Sequence, residues 1–372
     1  MKNHVTGLNL FLIFFCLIVF SCQAQKVRLK KNPAQVAPTE EATFDLSFLE
    51  KTYQSYIDSS GAIIISDSIL ENRIKSALHI PEQGHIPASM ADTLTVLDIS
   101  SPIRSQDNQK IKNIDALAFF RNLKRLNLNF NLIKDIQSLG QLTKLTVLSA
   151  QNNRIQDISA LKELKNLQWL NLYSNAISDI SCLTSLTELA NLTLWDNGIS
   201  DINSLERLEK LTSVNLGRNF IKDISPLKNC KKLKELWLYG NPLTNPEIIS
   251  GLGESLETLS IAKCNLSDIQ FLENCTHLQT LVIFDNAIKD ISVLRNMTQL
   301  YVFLASNNQI ENIDVLAYLV DKGAFKKESK FRNSSNETGT NINLTGNKID
   351  YQLEKNKKIK AYLNENVAGI KF

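Results

Sequence analysis

Apolar and polar residues alternate along most of the chain in one recurring sentence. Leu167 to Ile180 reads LQWLNLYSNAISDI, and the same pattern returns 22 residues later as LANLTLWDNGISDI and stands 22 residues earlier as LTVLSAQNNRIQDI. Within it, Leu-x-Leu alternation predicts a short strand with one buried face. The Ile-x-Asp-Ile step that follows predicts a turn and a brief 3₁₀ segment, because too few residues remain before the next Leu for a longer helix. Self-similarity at this period predicts a solenoid whose coils bury their apolar faces against one another. The expected fold class is an α/β solenoid bent as a horseshoe, with a parallel concave β-sheet, short 3₁₀ or irregular convex segments and a helical N-terminal cap.

One polar position keeps time for the whole array. Asn131, Asn153, Asn175, Asn197, Asn219 and Asn241 lie 22 apart; Cys264 follows after 23, then Asn286 and Asn308, and a last half-repeat places Asn347. An amide offers two donors and an acceptor where the chain leaves a strand and its backbone groups cannot all pair with the next coil. These ten residues form a structural ladder, with Cys264 filling its rung as a small weak donor. Asp135, Asp157, Asp179, Asp201, Asp223, Asp268 and Asp290 recur just as regularly. One carboxylate per coil suits capping of the following turn rather than a metal site.

The pattern changes at both ends. Leu8 to Phe20 is an almost unbroken apolar run closing on Val19-Phe20-Ser21-Cys22, the layout of an export signal. Its end looks like a bacterial lipobox with Cys22 as the lipidation site. Cleavage after Ala24 is the rival and would release a soluble protein. The expected organisation is a signal with lipobox over 1–22, a polar tether over 23–43, a helical cap over 44–93, repeats over 94–350 with an insertion loop at 321–340, and a C-terminal cap over 351–372. Phe44 to Ile57 suggests a short amphipathic helix, and Asp67-Ser68 opens a clearer one that Pro81 ends. In the tail, Leu353, Ile359, Tyr362 and Leu363 are available for burial.

Composition adds mainly exclusions. A formal net charge of +3 gives no reason to expect a nucleic-acid partner. Four His are scattered, and no HExxH, CxxC, phosphate-cradling Gly loop or Gly-x-Ser-x-Gly occurs, so neither catalysis nor a cofactor nor a metal is expected. Cys230 and Cys275 occupy a slot that is Leu in other coils, and two coils of separation exceeds the ~7 Å span of a disulfide.

The aromatics carry the candidate function. Positions flanking the buried leucines of a strand point onto the concave face, and all three tryptophans sit there: Trp169, Trp195 and Trp237. Tyr173, Tyr239 and Phe284 fall two residues before the ladder, in the same row as Trp195, while other coils carry Asn, Gln, Gly, Ala or Ser at that position. Exposed aromatics of this kind mark interaction surfaces; the competing expectation is that they merely pack neighbouring strands. Arg218, Glu235, Lys263 and Asp285 would supply a polar rim.

The Leu-x-x-Leu-x-Leu-x-x-Asn core identifies the leucine-rich repeat. With Asn-x-Ile-x-Asp-Ile-x-x-Leu and the preceding LENRIKSAL helix, the chain over about 67–350 resembles internalin-like bacterial leucine-rich-repeat proteins. That resemblance implies a non-enzymatic module holding a protein ligand on the concave face through Trp169, Tyr173, Trp195, Trp237, Tyr239 and Phe284. A glycan-binding or adhesive envelope protein is the alternative, because exposed Trp and Tyr also stack on sugar rings. The expected location is the cell envelope, tethered through acylated Cys22, or otherwise outside the cell as a secreted protein.

Overall fold

The computed structural model describes residues 55–325, 341–367 and 369–372. The export signal, Cys22, the tether and most of the first helix expected in the cap lie outside these residues. Twelve short strands form one sheet in strict chain order, every neighbouring pair parallel. They are β1 (Val96–Asp98), β2 (Arg125–Asn127), β3 (Val147–Ser149), β4 (Trp169–Asn171), β5 (Asn191–Thr193), β6 (Ser213–Asn215), β7 (Glu235–Trp237), β8 (Thr258–Ser260), β9 (Thr280–Val282), β10 (Val302–Leu304), β11 (Ile342–Asn343) and β12 (Ile370–Lys371). The leucine-rich-repeat horseshoe expected from the periodicity is the fold observed.

Register is set by the central strand residue, which is buried in each coil and pairs with its equivalent, as in Leu126 with Leu148 and Leu148 with Leu170. A one-residue slip would turn these leucines to solvent. Behind the sheet each coil returns through a 3₁₀ segment such as Ser159–Glu163, which Asp157 opens by accepting from the Ser159 N–H at 2.8 Å. The core is one continuous column of Leu and Ile between sheet and 3₁₀ segments. Cys230, Cys264 and Cys275 sit within it as free thiols.

The ladder is visible as hydrogen bonds. Asn219 Nδ2 donates to the carbonyls of Leu194 and Leu216 at 3.0 and 2.9 Å, and Asn219 Oδ1 accepts from the Ile199 N–H at 3.0 Å. Asn153, Asn175, Asn197 and Asn308 make the same set. The residue before each rung is left-handed, with φ between 51° and 59° at Phe130, Asn152, Ser174, Asp196, Arg218, Lys263, Asp285 and Asn307, and 71° at Gly240. Asn and Asp take this conformation with little penalty, whereas Phe130, Arg218 and Lys263 do so against their preference. Cys264 lacks the amide oxygen, and the Leu243 N–H it would receive turns instead to the Asn241 carbonyl at 3.0 Å.

Both ends of the column are covered. Helix α1 (Ser68–Ala77) buries Leu70 and Ile74, and its Asp67 cap accepts from Ile69 and Leu70 N–H through one oxygen and from Lys112 and Asn113 N–H through the other. Arg73 of α1 donates to the Ile99 carbonyl and Ser101 Oγ, and Ser101 in turn donates to Asn131 at 2.7 Å. The first rung is thereby tied to the cap. A four-residue α2 (Ala88–Ala91) leads into β1. The described start, Tyr56 and Ile57, is turn and bridge rather than helix.

At the far end the last full coil replaces its 3₁₀ segment with α3 (Asp314–Asp321), and α4 (Glu354–Asn366) packs on it. Of the insertion expected over 321–340 only the first five residues are described: Asp321 closes α3, and Ala324 and Phe325 are buried. Of the tail residues offered for burial, Leu363 is in the core while Leu353 is exposed. The chain then adds β12 beside β11, so the tail lengthens the sheet as well as capping it.

Candidate functional site: the concave sheet

Three residues of each coil look onto the concave face: the outer two of the strand and the one two before the rung. The middle strand residue points into the core, so these positions follow from the period-two alternation of a strand. Trp169 takes the first position on β4 and Trp237 the third on β7; both are half-buried. Tyr173, Tyr239 and Phe284 occupy the row before the ladder and are half-buried as well.

Trp195 behaves differently from the expectation of a solvent-facing ring. It is only 8% exposed. The reason is Gly217, its neighbour in the next coil. With no side chain there, the indole lies over the glycine, so close that a Cβ at 217 would meet Trp195 Cε3 at 2.4 Å. Tyr239, one coil further on, then stacks on Trp195 with ring centroids 5.4 Å apart and planes 3° from parallel. The same device repeats over Ala262: Tyr239 and Phe284 bridge it with centroids 5.8 Å apart, tilted by 47°. Packing therefore accounts for Trp195, and Tyr239 is the ring that covers it.

A second apolar layer lies on this face, separate from the main core. Ala262, Val282, Val302 and Leu304 are buried together beneath Tyr239, Phe284 and Tyr301. Val302, Leu304 and Tyr301 were not among the residues expected on this face. Their signal was the loss of alternation in Tyr301-Val302-Phe303-Leu304-Ala305, where the concave positions are apolar as well as the core ones. The remaining concave positions are chiefly short amides and hydroxyls that bond to one another, as when Ser149 Oγ donates to Asn129 Oδ1 at 2.7 Å and Asn171 Nδ2 to Gln151 Oε1 at 3.1 Å.

Charged side chains stand both at the lip, as Asp196, Arg218, Lys263 and Asp285, and on the strands, as Asp98, Arg125 and Glu235. Arg218 Nε pairs with Asp196 at 3.0 Å, and Glu235 accepts from Ser213 Oγ at 2.8 Å. Burial raises the phenol pKa of both Tyr173 and Tyr239; Asp196 near the first and Asp285 near the second push the same way, and Arg218 opposes the rise in both. One guanidinium is thus within electrostatic reach of two hydroxyls that stand three coils apart. Among the described residues no group of three His, Cys, Asp or Glu gathers in metal-binding geometry.

Comparison with known proteins bears on the repeats and the fold. The family described as Leucine Rich repeats (2 copies) matches residues 121–163, 209–251, 254–296 and 276–318. The chain is similar to the crystal structure of the internalin InlF from Listeria monocytogenes, at 26% identity over 88% of this chain and 99% of that one, with a TM-score of 0.55. It shares its fold with the functional domain of InlJ from the same organism, at 16% identity, 86% and 70% coverage and a TM-score of 0.59. It also shares its fold with the ectodomain of the Arabidopsis thaliana receptor kinase GASSHO1/SCHENGEN3, solved in complex with CASPARIAN STRIP INTEGRITY FACTOR 2, at 18% identity, 77% and 42% coverage and a TM-score of 0.54. No curated protein matches the chain. Fold and repeats make this a leucine-rich-repeat solenoid that is similar to the internalins.

Proposed function

We propose that this chain is a non-enzymatic binding module, exported and anchored through a lipid on Cys22, that grips a protein ligand on its concave face. The observation that carries this reading is the second apolar layer. Tyr239, Phe284 and Tyr301 gather with Val282, Val302 and Leu304 on the side of the sheet away from the core, and Trp169, Tyr173 and Trp237 extend the half-buried aromatic surface towards the N-terminal coils. Large rings immobilised by their neighbours lose little further entropy on contact, which favours them as binding anchors. Modules of this internalin-like type commonly bind proteins. Among the described residues no helix is long and apolar enough to cross a membrane; two acyl chains on a terminal Cys anchor a protein stably.

The test places a photo-crosslinking amino acid at Trp169 on the concave side and, separately, at Phe220, which is 64% exposed and lies outside the concave positions. The full chain is irradiated in its native membranes. A protein adduct formed from 169, absent from 220 and lost with Tyr239→Ala, is expected. Adducts from 220 alone, or binding only to a glycan array that Trp237→Ala abolishes, would overturn the reading. Mass analysis of the mature N-terminus tests the anchor: a lipid-modified chain starting at Cys22 is expected, and a free chain starting at Gln25 refutes it.

A further inference from the structure

The lip of the concave face carries charge in a set order. In five successive coils the left-handed position before the rung is Asp196, Arg218, Gly240, Lys263 and Asp285. Two cations therefore flank a glycine, and a carboxylate lies beyond each. Asp196 holds Arg218 through Nε, leaving the side chain 53% exposed and its terminal nitrogens without a hydrogen bond to the described residues. Lys263 is exposed and makes no ion pair among the described residues. Asp285 is engaged on its outer side, where Asn307 Nδ2 donates to it at 2.7 Å.

Between the cations the surface is open. A Cβ at Gly240 would meet nothing nearer than 3.8 Å, and the atoms it meets belong to Arg218. Strand spacing puts the Cα atoms of Arg218 and Lys263 about 10 Å apart. That leaves a notch wide enough for one small side chain. Its inner wall is Tyr239, fixed by its stack on Trp195. Lys234, at the far end of the same coil's strand, is already paired with Glu257 at 2.8 Å. Beside the aromatic surface Lys263 is thus the lip cation that makes no ion pair among the described residues, and Arg218 keeps its terminal nitrogens turned to solvent.

We infer that this notch seats an Asp or Glu side chain of the protein partner held on the concave face. The inference rests on the protein-binding reading above. The carboxylate takes both terminal N–H groups of Arg218 in the fork geometry that guanidinium offers. Lys263 closes on it from the other side as a compact charge, and the Tyr239 ring covers its methylene stem. Asp196 fixes the fork beforehand, so little ordering cost remains on binding. Burial and then Asp285 raise the Tyr239 phenol and Arg218 opposes them, which sets both lip charges within reach of the wall of the notch.

The experiment uses the immobilised full chain as bait for a displayed library of random peptides. Parent, Gly240→Asp, Gly240→Asn, Arg218→Gln and Tyr239→Ala are run in parallel. Gly240→Asp places a carboxylate in the notch itself, and Asp is already accommodated at the same left-handed position at 196 and 285. Peptides selected on the parent are expected to share an acidic residue beside an apolar one. Their binding should fall by about tenfold or more in Gly240→Asp and Arg218→Gln, the scale of one charge-assisted contact. Gly240→Asn should change it by less than about threefold. Peptides that depend on Tyr239 but show no acidic preference, or that bind Gly240→Asp as tightly as the parent, overturn the notch and leave concave binding standing. Failure to enrich any peptide that depends on Tyr239 sinks both.

Discussion

Truncating one rung of the ladder tests how the solenoid is held. Asn219 is 3% exposed. Its amide nitrogen serves the Leu194 and Leu216 carbonyls, yet each carbonyl has a second donor, Asn197 for the first at 3.0 Å and Asn241 for the second at 2.9 Å. Its oxygen has no such understudy: the Ile199 N–H donates to it at 3.0 Å. Asn219→Ala therefore orphans one buried donor, at about 1–3 kcal/mol, and halves the bonding of two carbonyls, at about 0.5–1 kcal/mol each. The expected loss is about 3 kcal/mol. Asn219→Asp keeps the acceptor but sets a carboxylate against two carbonyls, and should cost at least as much. Urea unfolding measures the global loss, and amide exchange at Ile199 against Ile221, whose acceptor is Asn241, locates it. A loss below about 1 kcal/mol, or Ile199 as protected as in the parent, would show that the ladder oxygen is not what satisfies this turn.

Two further outcomes follow from the same structure. Gly217→Ala forces the Trp195 indole from its seat and should cost about 1–3 kcal/mol as overpacking, with loss of the near-ultraviolet circular dichroism of the Trp195–Tyr239 stack; an unchanged spectrum contradicts the close approach. Burial pushes the thiols of Cys182, Cys264 and Cys275 up to about 12 and that of Cys230 to about 11. Because only thiolate is alkylated, and each added pKa unit lowers its fraction tenfold, native alkylation of these four at pH 8 should run slower than in denaturant by about a hundredfold or more. Peptide mapping that finds any of them labelled as fast in the native chain refutes the burial argument for that residue.

Leu126, Leu148 and Leu170 and the Asn rungs could all be anticipated from spacing. Each coil touches chiefly its two neighbours, so a residue's surroundings repeat with the period of the sequence. For the same reason, spacing tells which face of the sheet a ring lies on but not its environment. The alternation puts Trp169, Trp195, Trp237 and Tyr239 on that face, but whether a ring there meets water depends on the coils beside it.

Trp195 shows the division most clearly. Its row and face are written in the repeat, whereas its burial is decided by a missing side chain 22 residues on and a ring 44 residues on. The apolar layer under Tyr301 likewise exists because three adjacent coils each depart from polarity at their concave positions, which no single coil reveals. At the ends, where the period stops, the sequence has no template to copy. Ile370 pairs with Ile342 across an intervening helix, and Arg73 reaches from α1 to the open edge of β1. The sequence by itself determined the coil, its register and the direction of each side chain, because those are local and repeated. Tertiary structure alone decided which rings are covered, where charge is left unpaired around Gly240 and how the column is closed, because those depend on contacts between coils that are not alike.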